Sequence, residues 1–432
     1  MRHDWTQISL GQLQESGLAD VQTGPFGTVL KASEYTMSGV PVISVGEIRQ
    51  GYLRIHDHTP RVSKEITDRL PKYVLNEGDI VFGRKGAIDR NSLVGVNQDG
   101  WFLGSDGIRL RLSDEINSCF VSYQLRSSAI RKWLLQNSTG SIMASLNQKI
   151  LDRLPLWLPE LEVQNKVASF LSAIDSKIEL NNKITTELES MTKLIYDYWF
   201  IQFDFPDENG KPYKSTGGKM DYNEELNREI PEGWKPCQLG EVVTSTGTGL
   251  NPRNNFVLGE GKNFYVTIKN IEQGKVILDD RCDKINDDSL EIINKRSDLK
   301  PGDILFTSIQ PVGVTYLLRE EPKNWNINES VFTIRPDYSK VSSEFLHMFL
   351  SGDYIKAYTN NVSAGSIHKG VRHGTLKECK FILPDKKIVD KYSKRVKPML
   401  DKLDLIDKEI QKLAELRDWL LPMLMNGQVK VN

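Results

Sequence analysis

The sequence predicts an α+β protein: two repeated β-rich mixed domains separated by two long helices packed as an antiparallel coiled coil, with pseudo-two-fold symmetry. Three observations lead there. The chain repeats itself: Gly140-Ser141-Ile142 returns as Gly365-Ser366-Ile367, Leu151 as Leu376, and Leu158-Pro159 as Leu383-Pro384, all at one constant offset. Within each copy, short apolar runs lie between Gly, Asn and Asp, as strands bounded by turns do. After each copy the apolar period changes to steps of three and four, the mark of a helix with a long seam. Two copies of one domain in a chain can build an internal two-fold axis without a dimer, and such an axis suits a target made of two separated halves.

The first domain spans residues 1–159. Its strands are expected at Pro41–Val45, Asp79–Phe82 and Gly107–Leu112, and a helix at Cys119–Gln136. The first long helix occupies 160–202, with Val167, Leu171, Ile174, Ile178, Ile184, Leu188, Met191, Ile195 and Tyr198 along its seam and Asn181 at the one skipped position. A polar residue there would fix register. Residues 203–233 are rich in Gly, Pro and polar side chains, as a linker or ordered surface loop would be. The second domain spans 234–384, with strands at Tyr265–Ile268, Asp303–Phe306 and Val331–Ile334 and a helix at Ser343–Thr359. Residues 385–432 carry the second long helix and a C-terminal tail, with a seam of Ile388, Tyr392, Val396, Met399, Leu403, Ile406, Ile410, Leu413, Leu416 and Leu420. Pro398 should kink that helix or mark a late start. A helix of roughly 40 residues spans about 60 Å, longer than a small domain can cover, so the two helices are expected to pair. The packing residues are then Leu171, Ile174, Ile178 and Leu188 against Leu403, Ile406, Ile410 and Leu413.

Upstream motifs repeat in the same order. Leu75-Asn-Glu-Gly-Asp79-Ile-Val-Phe82 returns as Leu299-Lys-Pro-Gly-Asp303-Ile-Leu-Phe306, and Trp5 with Leu10-Gly11 as Trp234 with Leu239-Gly240. With 39% hydrophobic and 26% charged residues the composition is that of a globular protein. No apolar run reaches the roughly 18 residues a membrane span needs, and Met1-Arg-His-Asp-Trp5 lacks the apolar core of a secretory signal. Cys119, Cys237, Cys282 and Cys379 are scattered, as reduced thiols of a cytoplasmic protein would be. The formal net charge is −1. Residues 1–159 hold 18 basic against 16 acidic side chains, and residues 234–384 hold 19 against 18. Such neutral domains cannot neutralise many phosphates, so a DNA-binding role requires basic residues gathered on one face or a partner that supplies the rest.

No catalytic signature holds. There is no Gly-x4-Gly-Lys-Ser/Thr phosphate loop, no Asn/Asp-Pro-Pro-aromatic run and no Gly-x-Ser-x-Gly. Thr246-Gly-Thr-Gly249 lacks the third glycine and the helix of a dinucleotide site. His56-Asp57-His58 would place two imidazoles on one strand face but offers no third ligand nearby. Pro384-Asp385 before Lys386-Lys387 reads as a helix start.

The chain resembles the specificity (S) subunits of type I restriction–modification systems over nearly its whole length. The most specific stretch is Gly140-Ser-Ile, Leu146-Asn-Gln-Lys149, Leu154-Pro155 and Leu158-Pro-Glu-Leu161-Glu-Val-Gln164. Leu171 to Asn182, Tyr196-Asp-Tyr-Trp-Phe200, Gly24-Pro-Phe-Gly27, Ile230-Pro-Glu-Gly-Trp234 and Glu415 to Pro422 with Asn426-Gly427 also match. Departures are Pro159-Glu160 in place of a second proline, Pro384-Asp-Lys-Lys-Ile388 without a glutamine, and Val371-Arg-His-Gly374 where the first copy has Leu-Asn-Gln-Lys.

The resemblance implies two target recognition domains, each reading one half of a bipartite, asymmetric DNA sequence. It also implies helices that set the gap between half-sites and dock two methyltransferase (M) subunits. Restriction (R) subunits would join through the M–S complex. No cofactor is expected on this chain; S-adenosylmethionine, ATP and Mg2+ belong to the partner subunits. Base edges are read by donors and acceptors on loops. The candidates in the first domain are Arg84, Lys85 and Arg90, then Ser141, Asn147, Gln148 and Lys149. In the second they are Lys269, Asn270, Ser308 and Gln310, then Ser366, His368, Lys369, Arg372 and His373. The runner-up reading is a two-domain protein-interaction scaffold that binds no DNA, and a second rival is a single-chain nuclease or methyltransferase with an unrecognised site.

Overall fold

The computed structural model describes residues 5–139, 144–272, 274–363, 370–429 and 431. The chain forms two compact units, Met1–Lys183 with Asp407–Asn432 and Ile184–Ile406. Each unit takes one repeat together with part of both long helices.

In the first unit Thr6–Ser9 pairs antiparallel with Pro155–Leu158, which ties the start of the repeat to its end. A four-stranded antiparallel sheet follows the order Ala19–Thr23, Gly107–Leu112, Ile80–Gly83, Asn91–Leu93. A second sheet contains Tyr35–Thr36, Arg61–Val62, Val40–Ile43 and Phe102–Leu103; its last two strands run parallel, Val42 opposite Phe102. The second unit repeats this plan. Lys235–Gln238 pairs with Lys380–Leu383. Val243–Thr248, Val331–Pro336, Ile304–Thr307 and Thr315–Leu317 form the four-stranded sheet. Asn263–Val266 lies parallel to Trp325–Ile327 and antiparallel to Asp283–Ile285.

The central strand explains why the repeated Gly-Asp-Ile motif is followed by uninterrupted apolar residues. Alternate side chains of a strand point to opposite faces. Ile80 and Phe82 enter one core with Ile108 and Leu110, whereas Val81 enters a second core with Val42 and Phe102. Ile304 and Phe306 against Leu305 divide in the same way. The aspartate before each run is 1% exposed and holds an arginine of the neighbouring strand through two hydrogen bonds. Arg111 Nε lies 2.7 Å from Asp79 and Arg335 Nε 2.7 Å from Asp303.

Two expected helices are each split. Cys119–Gln136 is instead Ser118–Arg126 and Ser128–Asn137, because Ser127 adopts extended backbone with ψ 147°. Ser343–Thr359 is Ser343–Ser351 and Asp353–Ser363, broken at Gly352 with ψ 164°. Residues 203–233 are packed structure: Phe203 and Phe205 are buried, Phe205 stacks on Trp234 at 5.1 Å, and Met220–Asn223 pairs with Arg228–Pro231.

The first long helix is Leu161–Tyr196, followed by a π-helical turn at Asp197–Ile201. The second, Lys386–Met425, continues through Pro398, so the proline marks no late start. Within the first unit the helices run antiparallel: Arg417 Nη1 donates to Asp175 at 2.8 Å and Asn181 Nδ2 to Glu409 at 2.8 Å. Within the second unit the end of the first helix meets the start of the second, with the Tyr196 and Tyr392 rings 6.2 Å apart. Leu171, Ile174 and Ile406 are buried, and Ile178, Leu188, Leu403, Ile410 and Leu413 are half-buried. Met191 and Leu416 do not belong to the seam: they are 50% and 42% exposed. The buried row instead continues through Asn181, Thr185 and Thr192, so polar residues hold positions that an apolar count passes over.

Candidate nucleic-acid interface

The turn after the central strand meets a second segment in both units, through the same backbone bonds. In the first unit Arg84 N donates to Asp106 O (2.7 Å), Leu146 N donates to Arg84 O (2.9 Å), and Lys85 forms a bridge with Ser145. In the second, Ser308 N donates to Ser330 O (2.9 Å), Val371 N donates to Ser308 O (2.8 Å), and Ile309 bridges Gly370. Arg84 and Ser308 therefore occupy one backbone address, as do Lys85 and Ile309. Each pair of candidate clusters far apart in sequence is brought together: 84–90 with 144–149, and 308–310 with 370–373.

A loop closes over this junction because a glycine allows it. A Cβ on Gly24 would lie 1.8 Å from Gly104 O, and one on Gly249 would lie 1.8 Å from Ile327 O. Only glycine permits that approach. Gly24 N then bonds Gly107 O, and Phe26 is left 55% exposed at the loop tip. The Arg84 guanidinium lies over the Phe26 ring, 4.9 Å from its centroid, and Nη1 donates to Ser105 O at 3.4 Å.

The remaining first-unit candidates are exposed. Lys85 lies 3.8 Å from Asp106, a solvent-screened pair. Arg90, Gln148 and Lys149 project from the surface, and Asn147, also exposed, caps the helix Gln148–Asp152 by accepting from Ile150 N. Ser141 lies outside the described residues, as do Ser366, His368 and Lys369.

In the second unit Lys269, Gln310 and Arg372 are exposed. Three others are committed to the fold. Asn270 is 3% exposed, and its Oδ1 accepts from the backbone and hydroxyl of Thr267. Ser308 is 6% exposed and donates to Ser330 O at 2.8 Å. His373 is half-buried, edge-on to Phe332 at 4.6 Å, with Nδ1 3.4 Å from Thr246 Oγ1. Burial and nearby Lys377 hold its pKa below the ordinary histidine value. Asn270 and Ser308 are corrected from base readers to turn-forming residues: a buried amide or hydroxyl must satisfy its own hydrogen bonds first.

Phe26 was not among the sequence candidates. Its signal is an aromatic between Gly24-Pro25 and Gly27, where no alternating strand exists to bury it. His56 and His58 stack with centroids 5.2 Å apart, and Arg49 Nη2 lies 3.2 Å from His56 Nε2. Among the described residues no group of three or more His, Cys, Asp or Glu is placed to hold a metal ion, and no helix is long and apolar enough to cross a membrane.

Comparison with known proteins agrees with this duplicated architecture. The family model described as Type I restriction modification DNA specificity domain matches twice, over residues 4–190 and 231–415. The chain is 26% identical over 329 residues to the type I restriction enzyme MjaIX specificity subunit of Methanocaldococcus jannaschii, covering 74% of this chain and 70% of that one. It is 22% identical over 423 residues to the EcoBI specificity subunit of Escherichia coli, covering 94% and 82%. The crystal structure of a type I restriction–modification S subunit from M. genitalium superimposes with a TM-score of 0.63 at 17% identity, covering 97% and 96% of the two chains, and so shares the fold.

Proposed function

The chain belongs to the type I restriction–modification DNA specificity family, and from that premise we propose that it reads a bipartite, asymmetric duplex target, one half-site per unit. The observation that carries this reading is the shared backbone address with different side chains. Two units built on one plan present Arg84, Lys85 and Phe26 in one case and, with Ser308 turned inward, Ile309 in the other. A protein whose two units read the same half-site would have no use for that difference. Base edges differ in their donors, acceptors and methyl groups, so different side chains at one address select different bases.

The chain itself carries out no chemistry in this role. M subunits, two in number, dock on the paired helices and supply S-adenosylmethionine-dependent adenine methylation; R subunits join through them and use ATP and Mg2+. The location is cytoplasmic, where the genome is. The net charge of −1 supports a shared DNA grip, since the chain's own basic residues are offset by acidic ones. Binding by the chain alone is therefore weak and salt-sensitive, and tight with M subunits present. The first long helix contributes to both units, so its length bears on the gap between half-sites.

Co-expression with the host's M subunits followed by methylome sequencing tests the reading. A two-part motif with adenine methylation is expected. Inserting four residues at Asn182 should alter the number of unread base pairs and leave both half-sites as they were. A single undivided motif, or altered half-sites with the same gap, would refute it.

A further inference from the structure

The Arg84–Phe26 pair differs from the other basic groups at the candidate interface. Lys85, Arg90 and Lys149 are long, exposed side chains, suited to phosphates as mobile charges. Arg84 is half-buried, with its guanidinium carbon 4.9 Å from the Phe26 ring centroid and Nη1 tethered to a carbonyl. No carboxylate pairs with it among the described residues. The ring contact and the carbonyl bond restrict the side chain, so less rotamer freedom is lost when its fork makes hydrogen bonds. The loop that brings Phe26 there depends on Gly24, whose place no side chain could take. The second unit has the same glycine clearance at Gly249, yet Asn251 stands two residues on and Ser308 faces inward at the arginine address.

A guanidinium has donors only. In the major groove guanine presents two acceptors, O6 and N7, side by side. Adenine pairs an acceptor with a donor, cytosine offers a donor, and thymine offers a single acceptor beside a methyl. A fixed fork of donors therefore selects one base of the four. We propose that Arg84, held in place against Phe26, reads a guanine in the half-site served by the first unit, with Phe26 acting as its positioning residue. This inference rests on the proposed function and adds a base identity to it.

The test is methylome sequencing of cells expressing the full chain with its host M subunits. The unmutated chain should yield a two-part motif; its absence would overturn the functional reading and this inference with it. With that motif in hand, Arg84→Gln and Arg84→Met are compared. Both should relax one position of one half-site, a guanine in the original motif, with discrimination there falling about tenfold to a hundredfold. The other half-site and the gap should stay unchanged. Phe26→Leu should relax the same position to a smaller degree. Arg84→Met is the deciding variant, because methionine keeps much of the side chain's length and has no donor, and it remains informative where the glutamine variant does not fold. An unchanged motif in either variant with methylation intact would overturn the inference and leave Arg84 as a phosphate contact. Relaxation at a position that was not guanine would overturn it equally.

Discussion

Asp175, on the first long helix, holds three elements of the first unit together, and its loss should be measurable. Its carboxylate accepts from Arg417 Nη1 on the second long helix (2.8 Å), from Tyr123 Oη (2.7 Å) and from Arg126 Nη1 (3.2 Å), the last two on the helix Ser118–Arg126. Asp175 is 28% exposed, Arg417 26% and Arg126 11%. Burial pulls the Asp175 pKa upward, but the hydrogen bonds from Arg417 and Tyr123 and the charges of Arg126 and Arg417 outweigh it, and the carboxyl titrates below its ordinary 3.8. In Asp175→Asn one amide oxygen can keep one donor, and two charge-assisted bonds are lost or weakened. Hydrogen bonds to charged groups contribute about 1.5–3 kcal/mol each, and partial exposure returns some of that through water, so a loss of about 2–3 kcal/mol is expected. For a unit of this size that is a fall in Tm of about 5–10 °C, read by calorimetry on the intact chain. Glu162→Gln, which removes only the exposed pair with Lys166, should cost no more than about 0.5 kcal/mol. The sign with pH follows from the depressed pKa: the stabilisation is complete above the ordinary value and disappears as pH falls through the lower folded one. The difference between the two proteins should therefore shrink in acid. An Asp175→Asn chain that melts within 1 °C of the parent at neutral pH would refute the assignment of Asp175 as a three-way tie.

Other substitutions test the repeated plan. Asp79→Asn and Asp303→Asn each leave an arginine without its two-pronged partner and should lower the urea-unfolding free energy by about 3 kcal/mol, by similar amounts in the two units. Gly24→Ala forces the loop off Gly104 and should cost about 1–3 kcal/mol, whereas Gly27→Ala, whose Cβ meets nothing within 4 Å, should be silent in the same melts. Asn181 is 1% exposed and bonded to Glu409, so Asn181→Ala should lose about 1–2 kcal/mol in urea titrations, and loss of no stability would show that the seam does not use the amide.

The duplication, several of the strands and the two long helices were legible in the sequence because periodicity and repetition are properties of the chain itself. The helix breaks were not. Ser127 and Gly352 sit inside continuous apolar patterns, and only the packing of Leu125, Ile130 and Leu134 into one core shows why the backbone turns there. The seam was read by counting apolar side chains, which assigned Met191 to it and missed Thr185 and Thr192. In the candidate loops, polarity alone could not separate a polar residue that faces out from one that serves the turn. Asn270 and Ser308 are of the second kind, and their partners, Thr267 and the carbonyl of Ser330, are visible only in three dimensions.

The same distinction explains how one plan can serve two recognition tasks. Residues that build the plan recur in both units: Asp79 and Asp303 with their arginines, Gly24 and Gly249 with their close carbonyls, and the bridge of residue 85 or 309 to the segment beyond. None of these contacts involves the side chains of Arg84, Lys85 or Phe26. The backbone bonds at the address are made by main-chain N–H and C=O groups, which any residue other than proline supplies. Side chains there can change without disturbing the junction, and the junction holds whatever they are in a fixed position. Specificity is thus free to diverge where stability is indifferent, so exchanging Arg84 and Lys85 for serine and isoleucine should leave the first unit folded and change only what it reads.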